Sequence, residues 1–307
     1  MSGDQILGLV FGIIGGALRV GAPFLFVSLG ECLTEKSGRI NLGLEGVLVL
    51  AAMAAFGGAL AADSPWIGVL TGALAGGLLA ALHGVLCGLP RVNDVATGIA
   101  LMLFGTGLAF YLGKPLIQPQ APQLAPLDLG AWSDAPAIQA ALRINPLLPL
   151  GLILAALLWW AFANTRAGLL VRLAGDSSLA ARALGYPVNA IRIAATAAGG
   201  AIAGLGGACL TLFYPGSWSE GISSGQGLIA VALVIFARWS PPRCVLAALI
   251  FGGAGAVGPA LQSVGIGWGY HLFNTVPYLL TLVILVLSCR PGKVAEGSPG
   301  ELSSNRS

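Results

Sequence analysis

The chain has 307 residues, of which 56% are hydrophobic and only 9% charged, with a mean hydropathy of +0.87. An average soluble domain carries about 25% charged residues, so the composition excludes a water-soluble fold and defines a polytopic membrane protein. The net charge of +3 is too small to point to nucleic acid.

A membrane span needs about 20 apolar residues. Apolar runs lie at 5–33, 42–62, 66–89, 95–113, 146–164, 191–213, 226–240, 243–263 and 270–289, nine in all. The first is long and interrupted by Arg19 and Pro23; the seventh is short and opens on Gly225 and Gly227. No basic patch of a secretory signal precedes the first run, which is therefore expected to stay in the mature protein. The 46 glycines suit closely packed membrane helices. The expected fold is an all-α transmembrane bundle of about nine spans over residues 1–290, with a disordered cytoplasmic tail over 291–307.

Most Lys and Arg lie in loops 35–41, 90–94, 165–192 and 238–243 and in the tail, at Arg290 and Lys293. Nine spans put all five segments on one side, which the positive-inside rule assigns to the cytoplasm, leaving the N-terminus outside. The other side receives 63–65, 114–145, 214–225 and 264–269. Segment 114–145 holds Pro115, Pro119, Pro122, Pro126 and Pro136, and reads as an external loop with short turns. Tyr214 and Trp218, on that side, are expected in the aromatic belt.

No catalytic set is present. There are two histidines, no HExxH and no G-x-S-x-G, and Gly113-Lys114-Pro115 lacks the spacing and hydroxyl of a phosphate loop. The chain cannot hydrolyse ATP by itself, and no residue is assigned to a metal or cofactor. The odd count of five cysteines, without a CxxC pair, reads as buried small residues.

The informative residues are polar groups beside the apolar runs. Glu31, Glu35, Lys36, Arg39, Asn41 and Glu45 form either paired interfacial charge or a helix break lining a path. Asn93, Asp94 and Thr97 open the fourth run as a helix cap or a gate. Arg19 is expected against the bundle, paired with an acid, because free charge in lipid is costly. His83 reads as interhelical glue and His271 as an interface residue. Segments 37–56 and 223–236 each pass from a Gly-rich break into an apolar helix, the pattern of an inverted repeat with paired breaks.

Segment 165–192 is a polar island carrying Arg166, Arg172, Arg182 and Arg192 against one acid, Asp176. It predicts a short cytoplasmic helix, with Asp176 or Ser177 as N-cap, Ala180, Ala181 and Ala183 as helix formers, and Gly185 as the stop. Such a helix between two spans is suited to a partner, and the Ala180–Ala181–Ala183 face is expected to meet it.

SGRINLGLEGVLVL (37–50), VNDVATGIALMLFGTGL (92–108), GDSSLAARALGYPV (175–188) and SSGQGLIAVALVIFARWSP (223–241) resemble permease subunits of bacterial ABC importers. The group is the branched-chain amino acid and ribose superfamily, and its nucleoside and simple-sugar branch is the most similar. The resemblance covers about residues 15–290. It implies a permease that works beside a second permease, a cytoplasmic ABC ATPase that binds the ATP, and an external substrate-binding protein, in the bacterial inner membrane. The family's coupling helix falls on Asp176–Gly185, which makes Gly175, Asp176, Ala180, Ala181 and Gly185 the ATPase-coupling candidates. This chain has Gly175-Asp176-Ser177 where the family prefers Gly-Glu-Asn, and Asn93-Asp94 where the family has Asn-Glu. The path for a neutral polar substrate is expected to draw on Asn41, Glu45, Asn93 and Thr97, with Gly225 and Gly227 permitting close backbone approach. Rival readings are a branched-chain amino acid permease of the same superfamily and an ion-coupled transporter or channel; the last needs a second membrane acid to relay with Glu45.

Overall fold

The computed structural model describes residues 3–213, 215–263, 275–288 and 297–304. Its helices are α1 (Gly3–Lys36), α2 (Leu44–Ala62), α3 (Pro65–Cys87), α4 (Asp94–Gly113), α5 (Pro136–Ala141), α6 (Leu147–Asn164), α7 (Arg166–Asp176), α8 (Ser178–Ala183), α9 (Val188–Leu212), α10 (Gln226–Phe236), α11 (Pro241–Ser263), α12 (Val276–Ser288) and α13 (Gly300–Ser304). Two short strands, β1 (Leu127–Asp128) and β2 (Arg143–Ile144), pair antiparallel within segment 114–145, which is otherwise turns, a 3-10 turn and α5.

Among the described residues, seven helices are long and apolar enough to cross a membrane: α1 from Gly8, α2, α3, α4 with the turn that follows it, α6, α9 and α11. The described residues support a helical membrane bundle without establishing the expected count of nine. The seventh apolar run folds as α10, whose 11 residues rise about 16 Å, roughly half of a hydrocarbon core of about 30 Å. The ninth run is described only from 275, as the 13-residue α12; Tyr214, His271 and Cys289 lie outside the described residues.

Helices α1, α2, α3 and α9 form the centre. The stripe Gly72 and Gly76 on α3 meets Gly200 and Gly204 on α9, so the two backbones touch; a Cβ at Gly204 would lie 2.9 Å from Ala73 Cα. Small residues permit this closeness, and dispersion across it replaces the hydrophobic drive that lipid removes. Phe26, Phe56, Leu48, Leu212 and Phe251 are buried around it, and Phe24 meets Phe251 edge-on at 6.2 Å. Cys32, Cys87, Cys209 and Cys244 are free and buried, as their apolar settings imply.

The basic segments gather at one end of the bundle. Arg39 pairs with Asp94 at 2.6 Å, Arg192 Nε donates to Ser37 O at 3.0 Å, Asn189 donates to Gly88 O at 3.4 Å, and Lys36 Nζ donates to Gly297 O at 3.1 Å. At the other end Gln123 Nε2 donates to Gly216 O at 3.0 Å and Leu124 N to Leu212 O at 2.8 Å. Arg19 is a correction: its partner is not an acid but the Ala140 carbonyl, at 2.6 Å. Trp218 is another: it is buried against Gly113, not placed in an exposed belt. Residues 297–304 of the tail include α13, which lies against the basic end.

Candidate functional site

Two polar interruptions stand out, and they are built differently. The first joins α1, α2 and α10. Past Lys36 the chain turns at Gly38, whose φ of +86° suits a residue without Cβ. Asn41 N then donates to Glu31 Oε1 at 2.9 Å, and Asn41 Oδ1 accepts from Gly43 N at 2.9 Å, a local turn that launches α2. His83 Nε2 lies 3.2 Å from Ile40 O and ties α3 to the same loop, as an interhelical contact.

Glu45 lies in the first turn of α2 and serves the start of α10. Its Oε1 accepts from the Ser223 hydroxyl and, at 3.1 Å, from Gly225 N; its Oε2 accepts from Gly227 N at 2.8 Å. The first amides of a helix have no partners of their own, and a carboxylate there also opposes the positive end of the helix dipole. Two helix starts therefore converge on one carboxylate. Gly227 makes the approach feasible, since a Cβ on it would lie 2.5 Å from Glu45 Cα. Ser224 and Gly225 both have positive φ, +47° and +77°, and Tyr278 on α12 donates its hydroxyl to Ser224 O at 2.5 Å. The far end of α10 is held as well: the Trp239 indole donates to Glu35, which is buried with Glu31 near the end of α1. So α10 is a half-length helix fastened to an acid at each end.

Of the path candidates, Glu45, Gly225 and Gly227 meet at this junction, and Asn41 lies in the turn that precedes α2. Asn93 and Thr97 do not join it. Asn93 Oδ1 accepts from Val95 N at 2.8 Å and Ala96 N at 3.1 Å, which is an N-cap of α4. Asn93 instead lines a cleft of about 460 Å³ at the basic end, with Arg39, Asp94, Arg192 and Glu301.

The second interruption is the 165–192 island, which folds as α7 and α8. Thr165 caps α7, accepting from Gly168 N at 3.0 Å. Ser177, not Asp176, caps α8, accepting from Ala180 N at 3.2 Å; Asp176 closes α7. Gly185 ends α8 with φ of +82°, and Tyr186 N bonds back to Ala181 O at 3.0 Å, the C-terminal motif expected of a glycine stop. Gly175 is buried directly on the Lys36 carbonyl, so α7 ends against the end of α1.

The face offered by α8 includes Ala180 and Ala183 but not Ala181. Ala181 is buried with Ala174 and Val188 and packs on its own chain. The outward positions are Leu179, 77% exposed, and Leu184, 66% exposed, with Ala180, Arg182, Ala183 and Tyr186 also exposed. Arg166 and Arg182 remain at the surface, whereas Arg192 is buried. Sequence reasoning overlooked Leu179 and Leu184, although two leucines in an arginine-rich loop are a detectable signal. It had no means of finding Ser223, Trp239 or Glu301, whose partners lie more than 100 residues away in the chain.

A helical membrane bundle with a half-length helix and a polar helical unit between spans has the form of a transport permease. The family described as branched-chain amino acid transport system / permease component matches residues 13–288, and this chain belongs to it. It is 30% identical over 297 residues to the "Putative glucose ABC transporter permease protein TsgC13" of Haloferax volcanii, covering 89% of this chain and 90% of that one. It is 29% identical over 294 residues to the nucleoside ABC transporter permease protein NupC of Lactococcus lactis, covering 90% and 91%. It is 27% identical over 303 residues to the guanosine ABC transporter permease protein NupQ of Bacillus subtilis, covering 92% of each. The chain is a multi-pass, non-catalytic permease subunit of the ABC type, and ATP hydrolysis takes place on a separate subunit. Membership implies an ATPase partner and a substrate-binding protein.

Proposed function

We propose that this permease carries a nucleoside or a simple sugar inward across the bacterial inner membrane, driven by a cytoplasmic ABC ATPase. A second permease completes the path, and an external binding protein delivers the substrate. The basic end of the bundle is the cytoplasmic face, and α8 is the element the ATPase engages. The observation that carries this reading is the pair Leu179 and Leu184, exposed on a short capped helix inside a polar inter-span segment. Leucines on a surface that faces water are stabilised by a protein partner that covers them.

The α2–α10 junction is the substrate-path element. Its Glu45 is a positioning residue, because the chain's own donors already occupy both of its oxygens. It fixes the start of α10, so that small shifts of either helix alter the passage beside Gly225 and Gly227. Closure of the ATPases would move α7 and α8 and bias the bundle between outward- and inward-open forms. The substrate class rests on the named relatives, whose cargo is nucleoside or glucose. Proteoliposomes containing this permease, its companion permease and ATPase, with the binding protein outside, should accumulate at least one of labelled guanosine, uridine and glucose when ATP reaches the ATPase side. Uptake by the permease alone, without ATP, would contradict the reading and favour a secondary transporter.

A further inference from the structure

The tail and one arginine form a connection between the two interruptions. Arg192, near the start of α9, is 7% exposed and reaches three elements. Its Nε donates to Ser37 O at 3.0 Å, at the start of the 37–43 break. One terminal nitrogen donates to Ala174 O at 2.8 Å, near the end of α7, and approaches Glu301 Oε2 at 3.3 Å. The other oxygen of Glu301 accepts from Ser178 N at 2.8 Å, the first residue of α8. Gly300 lies on the Asp176 carbonyl, and Lys36 Nζ holds Gly297 O at 3.1 Å. Gly38 sits inside this knot: a Cβ there would lie 2.9 Å from the Arg192 guanidinium and 3.2 Å from Glu301 Cβ.

We propose that Arg192 and the tail segment carrying Glu301 are the joint that transmits movement of α8 to the 37–43 break, and from there to Asn41, Glu45 and the start of α10. The inference deepens the importer reading and rests on it. The chemistry of the joint is specific. A guanidinium presents donors along a rigid fork and can bridge separate carbonyls while pairing with a carboxylate. The contacts of Arg192 tie α7 and the tail to Ser37, so displacing α7–α8 without displacing Ser37 would leave a buried cation short of partners, a costly state. The elements therefore move together. The 460 Å³ cleft lined by Gly38, Arg39, Asn93, Arg192 and Glu301 leaves room beside the joint for that movement. Both residues act through others and are positioning residues.

The test uses the complete complex in proteoliposomes and reads the break directly. Ile40→Cys places a thiol in the break, and its maleimide labelling rate, read by mass spectrometry at position 40, is compared with and without Mg-ATP and vanadate. In the otherwise unaltered complex nucleotide should change that rate at least threefold. Arg192→Lys, which keeps the charge but loses the fork, and Glu301→Gln should each reduce the response at least threefold while ATPase co-purification and basal ATP hydrolysis persist. A joint with a merely structural role would lower recovery of the complex and leave the labelling response of the recovered fraction intact, which overturns the proposal. A break that ignores nucleotide in the unaltered complex, or a response unchanged by both substitutions, also overturns it. If Arg192→Lys does not assemble, Glu301→Gln decides, since Glu301 lies outside the spans. Absence of ATP-dependent uptake by the unaltered complex would condemn the importer reading instead, so the two failures are separable.

Discussion

The α2–α10 junction and the α7–α8 unit are both polar interruptions of an apolar chain, yet they use opposite means. At the junction Glu45 finds partners for both carboxylate oxygens within the chain. On α8 it is the apolar groups, Leu179 and Leu184, that stand without cover. A buried polar group with its donors in place is architecture; an exposed apolar group on a rigid, capped helix marks a place where another molecule belongs. On the proposed reading, the difference separates what holds the permease together from what connects it to its ATPase.

The comparison breaks first at Gly227. Gly227→Val forces side-chain atoms onto Glu45 Cα, and an overpacked site of this kind costs about 3 kcal/mol. The variant should lose most of its folded yield in membranes, read by detergent-resistant monodispersity. A Gly227→Val protein of normal yield would mean the two helix starts do not meet.

Glu45→Gln comes next. The amide replaces one acceptor with a donor that faces the amides of α10, and an unsatisfied buried group costs about 1–3 kcal/mol. The thermal midpoint should fall by several degrees, and uptake should fall with it. Lost uptake at an unchanged midpoint would return Glu45 to a substrate-contacting role.

The tail sharpens the comparison through pH. Burial disfavours the Glu301 anion, but the Ser178 hydrogen bonds and the Arg192 guanidinium outweigh that penalty and hold its carboxyl below the ordinary carboxylate range. The stabilisation is therefore complete above the unfolded value of about 4.3 and is lost as pH falls through the lower folded value. The midpoint of wild type should exceed that of Glu301→Gln by about 2 °C at pH 7, and the difference should shrink towards zero as pH falls below the ordinary carboxylate range. A difference that persists there would place the effect elsewhere.

Asn93→Ala is the smallest. It removes the α4 cap at a cost of about 1 kcal/mol, and uptake should remain within about twofold of wild type. A tenfold loss would restore Asn93 to the path.

Much of this was legible in the sequence. Apolar runs place α1 to α4, α6, α9 and α11 within a few residues, because hydropathy reads burial in lipid directly. The Ser177 cap and Gly185 stop follow from local chemistry. The same runs do not reveal that the seventh folds as the 11-residue α10, whose start meets Glu45. The alanines of α8 were only partly legible: Ala180 and Ala183 face outward, but small residues suit any close contact, and only the fold shows that Ala181 spends its contact on Ala174 and Val188. The tail, polar and rich in Gly and Ser, carries no local sign that Glu301 finds Ser178 and Arg192.

The most direct test of α8 as the docking surface is ATPase recovery with the double variant Leu179→Asp, Leu184→Asp. Burying each leucine against a partner is worth about 1.5–3 kcal/mol, and 1.4 kcal/mol is tenfold in affinity. The variant permease should insert and fold normally, because both side chains face away from its own core. It should nonetheless lose the ATPase on co-purification and lose ATP-driven uptake. Ala181→Glu, by contrast, should damage the permease itself. Full ATPase recovery with the double variant would contradict the assignment of α8 as the surface through which this permease is driven.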